Sequence, residues 1–170
     1  MTDVVTRSPV RGGLGQSALR PDGVPKVQGS FQFSGDYSAE GMLVGATLRS
    51  PHPYARIVGI DTSAALAMPG VHVVLTAADV PGKATYGLIS QDQPVFAADY
   101  VRFVGEPVAA VAADHPATAK RALDAIVVEY EVLEPLTDPE RAVDGSFAPI
   151  HPDGNVIRHQ RIVRGDQTIE

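Results

Sequence analysis

GMLVGATLRSPHPYARIVGIDTSAALAMPGVHVVL, residues 41–75, holds the alternation of elements that decides the fold. Residues 42–48 form an apolar run of strand length. Ser50-Pro51-His52-Pro53 ends it, because two prolines cannot sit inside a central strand. Residues 55–60 resume the strand pattern. Asp61-Thr62-Ser63 offers side-chain oxygens to the free amides of a short helix over 64–68, which Pro69-Gly70 stops. Residues 71–75, rich in branched side chains, predict a third strand.

Outward from this stretch, residues 77–80 predict one helical turn before Pro81-Gly82. Residues 83–99, with Gly87 and Pro94, read as a long loop with a short strand near Val95. Residues 101–112 are the strongest buried strand, with Gly105 and Pro107 implying a bulge or bend. Asp114 is expected to cap a helix that has Pro116 in its first turn. Ala119, Ala122, Leu123 and Ile126 fall at i, i+3, i+4 and i+7, a stripe facing a core. Val128, Tyr130 and Val132 alternate with Glu129 and Glu131, a strand with one wet face. A short helix is expected over 139–143. The order β-β-α-β, then β-α-β, predicts an α/β (α+β layered) domain, a mixed sheet with two or three short helices. Val104, Val108, Ala110, Leu123, Ile126 and Val128 are expected in one core, with the helix from Pro116 packed on the 101–112 strand.

The two ends lack periodic apolar faces. Residues 1–30 predict an extended N-terminal arm, residues 31–137 the folded domain, and residues 138–170 a connector. Alone, such ends cannot offset an ordering entropy of roughly 1–2 kcal/mol per residue.

The 170 residues suit one domain plus extensions. Hydrophobic residues at 44% and charged residues at 20% fit a globular chain rather than a disordered one. A net charge of −6 opposes binding to nucleic acid or an anionic membrane, which call for basic patches. The chain has no cysteine, which excludes disulfides, a thiol nucleophile and any cysteine-held zinc or iron–sulfur site within it. MTDVVTRSPVRGGLGQ has no apolar core of signal-peptide type, and no run approaches the ~20 residues of a membrane span. The expected compartment is the cytoplasm.

Several groups offer chemistry, each with a plainer reading beside it. Gly13-Leu14-Gly15-Gln16-Ser17-Ala18 fits the dinucleotide pattern G-x-G-x-x-A, but the required strand before and helix after are missing. A flexible arm is the better reading. The five histidines, His52, His72, His115, His151 and His159, show no metal-ligand spacing. Ser50, His52 and Asp61 contain the residue types of a hydrolytic triad without a nucleophile elbow, so a turn with Ser50 and His52 as surface polar groups is favoured. Asp92 and Glu106 are candidate general bases. The balance favours a solvated loop carboxylate at Asp92 and a hydrogen-bonded bulge residue at Glu106.

Ordered segments across residues 20–136 resemble one known family. They include Arg20-Pro-Asp-Gly-Val-Pro-Lys26, Leu48-Arg-Ser-Pro-His-Pro-Tyr-Ala-Arg-Ile57, Ile60-Asp-Thr-Ser-Ala-Ala-Leu66, Val74-Leu-Thr-Ala-Ala-Asp-Val-Pro81, Val101-Arg-Phe-Val-Gly-Glu-Pro-Val-Ala109 and Val127-Val-Glu-Tyr130. Together they are similar to the molybdenum-binding large subunit of the xanthine dehydrogenase and aldehyde oxidase family. Gln91-Asp-Gln-Pro-Val95 and Gly154-Asn-Val-Ile-Arg-His159 look most like bacterial xanthine dehydrogenase molybdenum-binding subunits.

The resemblance implies the α/β hammerhead domain at the N-terminal end of that subunit. It also implies a molybdopterin-binding remainder of the large subunit that carries molybdenum and a glutamate base. Iron–sulfur clusters and FAD would lie in partner subunits or domains. The family hydroxylates electron-poor carbons of purines, N-heterocycles or aldehydes. No catalytic, cofactor-binding or metal-binding residue is carried over onto this chain, so it is expected to bind no cofactor alone and to be structural and interfacial. The loop holding Leu88 and Ile89 would border the substrate funnel and supply apolar walls. Arg164-Gly165-Asp166 looks like the passage to the next domain, but residues 167–170 do not continue as an alanine-rich helix. A fragment, a truncated gene or one chain of a split enzyme is the corresponding expectation. The competing reading is a free-standing noncatalytic module of the same fold that binds a protein or small ligand.

Overall fold

Proline and glycine divide the chain into short elements, which the computed structural model describes over residues 20–88, 90–151 and 153–165. Helix α1 (Gly23–Gln28) and a 3-10 turn at Ser34–Asp36 come first. Strands β1 (Val44–Arg49) and β2 (Ala55–Asp61), helix α2 (Ser63–Leu66) and strand β3 (Val71–Leu75) follow. After a 3-10 turn at Ala77–Asp79 come β4 (Thr85–Tyr86), β5 (Gln93–Pro94), β6 (Tyr100–Val101) and β7 (Pro107–Ala113). Helix α3 (Pro116–Asp124), strand β8 (Val127–Val132) and helix α4 (Pro139–Val143) complete the series. The described residues fall into two compact units that divide between Glu40 and Gly41.

In the first unit, α1 lies where the sequence predicts extended chain. Local contacts explain it. Lys26 reaches back one turn to Asp22 at 2.5 Å, and Gly29 closes the helix at a φ of +71°. The Lys26 ammonium also lies 4.7 Å from the centre of the Phe31 ring, which meets Phe33 edge-on. These pairings are too sparse to make the periodic stripe that reveals a helix in sequence.

In the second unit, β1, β7 and β3 form one sheet in that order, and β6, β2 and β8 form another. Every pairing among the described strands is antiparallel. β4 and β5 make a separate two-residue ribbon. The result is the layered α/β arrangement expected, sheets with a few short helices.

β7 organises the interior because its side chains alternate between two cores. Ala109, Val111 and Ala113 join Ala65, Val74, Ala119, Ala122 and Ile126, placing α2 and α3 on one face. Val108 belongs to the other cluster, with Ala55, Ala97 and Val101. Ile60 and Val128 pack against both. Most of the first core is alanine, so α3 rests on β1 and β7 through small side chains. Across the second sheet, Arg56 and Glu131 are register partners and form a 2.5 Å ion pair at the surface. Exposed pairs of this kind contribute little.

Three expectations need correction. Residues 101–112 are not one strand. β6 pairs with β2 in the second sheet, and β7 lies between β1 and β3 in the first. The turn between them turns Val104 outward, leaving it 64% exposed instead of buried. Of the other five predicted core residues, Val108 is buried in the second cluster, Leu123 and Ile126 contribute to the first, and Val128 packs against both. Ala110 is only partly covered. The cap of α3 is His115, not Asp114. Its extended backbone marks the last non-helical residue, and its Nδ1 accepts from the Ala117 amide at 3.1 Å. Asp114 instead meets His72 Nε2 at 2.6 Å.

Val108→Asp would set an unpaired charge among Ala55, Ala97 and Val101. The expected loss is roughly 3–5 kcal/mol in denaturant unfolding followed by circular dichroism. An unchanged midpoint would refute this placement of Val108.

Candidate functional site

The turn from Arg102 to Glu106 is where the chain leaves one sheet for the other. Its geometry follows from one glycine and one buried acid. Gly105 takes a φ of +93°, a region where a side chain is strained. The Glu106 amide donates to the Phe103 carbonyl at 3.2 Å, closing a β-turn with Gly105 at its third position. Glu106 is 2% exposed, and its Oε2 accepts from the Arg102 amide at 2.5 Å. A buried carboxylate needs such a donor, since its desolvation is otherwise uncompensated.

The end of β1 holds the turn from outside. The Gly105 amide donates to the Ser50 carbonyl at 2.8 Å, and the Ser50 amide donates to the Glu106 carbonyl at 2.9 Å. Arg49 Nη1 donates to the Gly105 carbonyl at 2.8 Å. Phe103 and Val104 stand at the tip, both exposed.

Beside this turn lies a groove of about 1100 Å³, between the 85–106 loop and residues 136–157. Asp92, Arg102, Phe103, Glu106, Asn155 and Ile157 are among its lining residues. Arg102 ties its two walls, with Nη1 donating to the Tyr100 carbonyl at 3.3 Å and Nε to the Ile150 carbonyl at 3.5 Å. The Ile150 amide donates to Asn155 Oδ1 at 2.9 Å, and Asn155 Nδ2 donates to the Ala142 carbonyl at 3.4 Å. His151 Nδ1 lies 3.4 Å from Asp92 Oδ2, with both side chains partly exposed.

The candidate residues from the sequence therefore separate. Ser50, His52 and Asp61 do not form a catalytic trio. Ser50 is buried, and its Oγ donates to the His52 carbonyl at 3.1 Å and accepts from the His52 amide at 3.0 Å. The His52 ring packs edge-on against Tyr130, with centroids 5.0 Å apart. Burial pushes the Tyr130 phenol above its usual range, with the Ser50 hydroxyl pulling the other way. Asp61 accepts from the Ser63 amide at 2.9 Å at the start of α2. The Ser63 hydroxyl, and then its amide, hold the Asp61 carboxyl below the usual range.

Asp92 and Glu106 both line the groove, but Glu106 is committed to the Arg102 amide and Asp92 faces His151. Leu88 is fully exposed. Ile89 and the Gly13–Ala18 pattern lie outside the described residues. His72 pairs with Asp114, His115 caps α3, and His151 faces Asp92. Among the described residues, no group of three or more His, Asp or Glu side chains is placed to hold a metal ion. With no cysteine in the sequence, the chain offers no thiolate to hold an iron–sulfur cluster or a cysteine-ligated metal.

Sequence reasoning missed the groove, the roles of Arg102 and Asn155, and the clasp between Ser50 and Glu106. The punctuation at Gly105 and Pro107 marked the turn. Nothing local marked its partner, because Arg49 and Gly105 are 56 residues apart.

Residues 28–134 match the family described as aldehyde oxidase and xanthine dehydrogenase, a/b hammerhead domain. The chain belongs to this family. The chain is 43% identical over 150 residues to a probable xanthine dehydrogenase subunit of Bacillus subtilis (strain 168). That alignment covers 88% of this chain and 20% of the relative. It is 40% identical over 153 residues to the nicotinate dehydrogenase large molybdopterin subunit of Eubacterium barkeri, covering 90% of this chain and 36% of that one. The crystal structure of quinoline 2-oxidoreductase from Pseudomonas putida 86 superposes with a TM-score of 0.67 at 39% identity. That match covers 79% of this chain and 18% of the other. The chain thus spans between about a fifth and about a third of the length of these relatives.

Two substitutions of similar size separate acceptor from volume at position 106. Glu106→Gln keeps an oxygen for the Arg102 amide, and Glu106→Leu does not. Urea unfolding is expected to show Glu106→Leu less stable than Glu106→Gln by about 1–3 kcal/mol. Equal stability of the two variants would reject the carboxylate as the clasp of the turn.

Proposed function

We propose that this hammerhead is the structural and interface portion of a molybdenum-dependent hydroxylase of the xanthine dehydrogenase and aldehyde oxidase type, and is not catalytic alone. The observation that carries the reading is the family match over residues 28–134, taken with the small share of its relatives that the chain spans. In this reading the arm is residues 1–30, the hammerhead residues 31–137 and the connector residues 138–170. The molybdopterin-binding remainder of the large subunit holds the molybdenum cofactor, which supplies the redox chemistry when bound. Iron–sulfur and FAD-binding subunits or domains carry electrons away.

The substrate class is an aldehyde or an electron-poor aromatic N-heterocycle, including purines. Relatives named for nicotinate and quinoline support the heterocycles. Leu88 and Ile89 then serve as apolar walls of the substrate funnel. The proposed compartment is the cytoplasm; among the described residues no helix is long and apolar enough to cross a membrane.

The test is reconstitution. The chain is purified alone and again after co-expression with the molybdopterin, iron–sulfur and flavin polypeptides of the same genome. Stoichiometric molybdenum by elemental analysis, and oxidation of a heterocycle panel, are expected only in the complex. Molybdenum bound by the chain alone would refute the reading. Failure of the chain to enter the complex would favour a free-standing binding module.

A further inference from the structure

Phe103 and Val104 are 46% and 64% exposed at the tip of the Arg102–Glu106 turn, and neither contributes to the two cores of the chain. Exposed apolar residues are common singly and need no explanation. These two differ in their support. The turn beneath them is closed by the Glu106 amide, held by the Glu106 carboxylate, and clasped by Arg49 and Ser50. Such a turn loses little conformational freedom when it meets a partner, and preorganisation of this kind converts contact area into affinity. The apolar surface also continues sideways. Phe103 lines the 1100 Å³ groove together with Val156 and Ile157, and both of those side chains are exposed.

We propose that the Phe103–Val104 turn and the adjoining groove form the docking surface for the molybdopterin-bearing part of the large subunit. This rests on the function proposed above. Length favours this occupant. The chain spans 20% of one relative and 36% of another, so the greater part of such a subunit must find a surface on this one. Charge disfavours a second copy of this chain. Asp92, Asp99, Asp138 and Asp153 surround the groove, against one arginine, Arg102, among its described lining residues. The whole chain carries −6, so two copies meeting face to face would set carboxylate against carboxylate. The fitting partner presents an apolar cleft for Phe103, flanked by neutral or basic side chains that meet the acidic rim.

The test titrates this chain into the separately expressed molybdopterin-binding polypeptide from the same genome by isothermal calorimetry. Phe103→Asp and Val104→Asp are compared with Val127→Asp. Val127 is also exposed, but it pairs with Asp61, at the opposite end of β2 from the Ala55–Val101 pair that leads into the turn. Each turn variant is expected to weaken binding roughly tenfold or more, as substitution at an interface anchor does, with Val127→Asp near wild type. Circular dichroism and thermal midpoints check that the variants fold, and Phe103→Ala and Val104→Ala replace any that do not. If wild type binds and the turn variants bind equally well, the docking surface is overturned while the proposed function stands. If wild type does not bind the polypeptide at all, the proposed function falls with it. A wild-type dimer in sedimentation that Phe103→Asp dissolves would overturn the proposal in favour of self-association.

Discussion

A single buried carboxylate governs how this chain passes between its two sheets. Glu106 accepts from the amide of Arg102, four residues earlier, and so folds the intervening turn onto itself. The turn sets the point at which β6 leaves β2 and β7 enters between β1 and β3. β7 then fixes both cores, because its alternate side chains enter one or the other. The acid is costly to bury and is retained where its donor is a backbone amide that would otherwise lose its own partner. The Ser50 backbone doubles the constraint by bonding both Gly105 and Glu106.

Most elements were legible because their signals are local. Pro51, Pro53, Pro69 and Gly70 bound the strands and α2, and the stripe through Ala119, Ala122 and Ile126 shows α3. The long run at 101–112 misled because apolarity measures burial, not which sheet does the burying. Val104 sits in that run beside Val101 and Val108, yet only those two are buried. One core was expected where two exist, since the sides of β7 differ in partner rather than in polarity. The ribbon of β4 and β5 was also largely invisible, being two pairs long and held by neighbours rather than by composition. At the candidate site, the plainer reading of Glu106 as a bonded bulge residue fits its contact with the Arg102 amide, whereas Ser50 does sit in a turn but is buried rather than at the surface. The groove was illegible because its walls come from residues 85–106 and 136–157, linked by the bond from Arg102 to the Ile150 carbonyl.

The chemistry that is present here is that of positioning. The carboxylate of Asp138 caps α4, that of Asp61 bonds the first amide of α2, that of Glu106 clasps a turn and that of Asp92 faces a histidine. Contacts of this kind suit the structural and interface role proposed above. The histidines follow the same pattern. His115 serves the first turn of α3, and His52 packs edge-on against Tyr130.

The alanines of the first core carry a consequence of their own. Ala109, Ala113, Ala119 and Ala122 are wholly buried, so much of the seam between α3 and β7 is made by methyl groups. Such a contact has no long side chain that could swing aside to absorb an added carbon. Over evolutionary time, this seam cannot widen by single steps. Its variation is confined to exchanges that enlarge one methyl while trimming its neighbour, and free drift is left to the outer face of the helix.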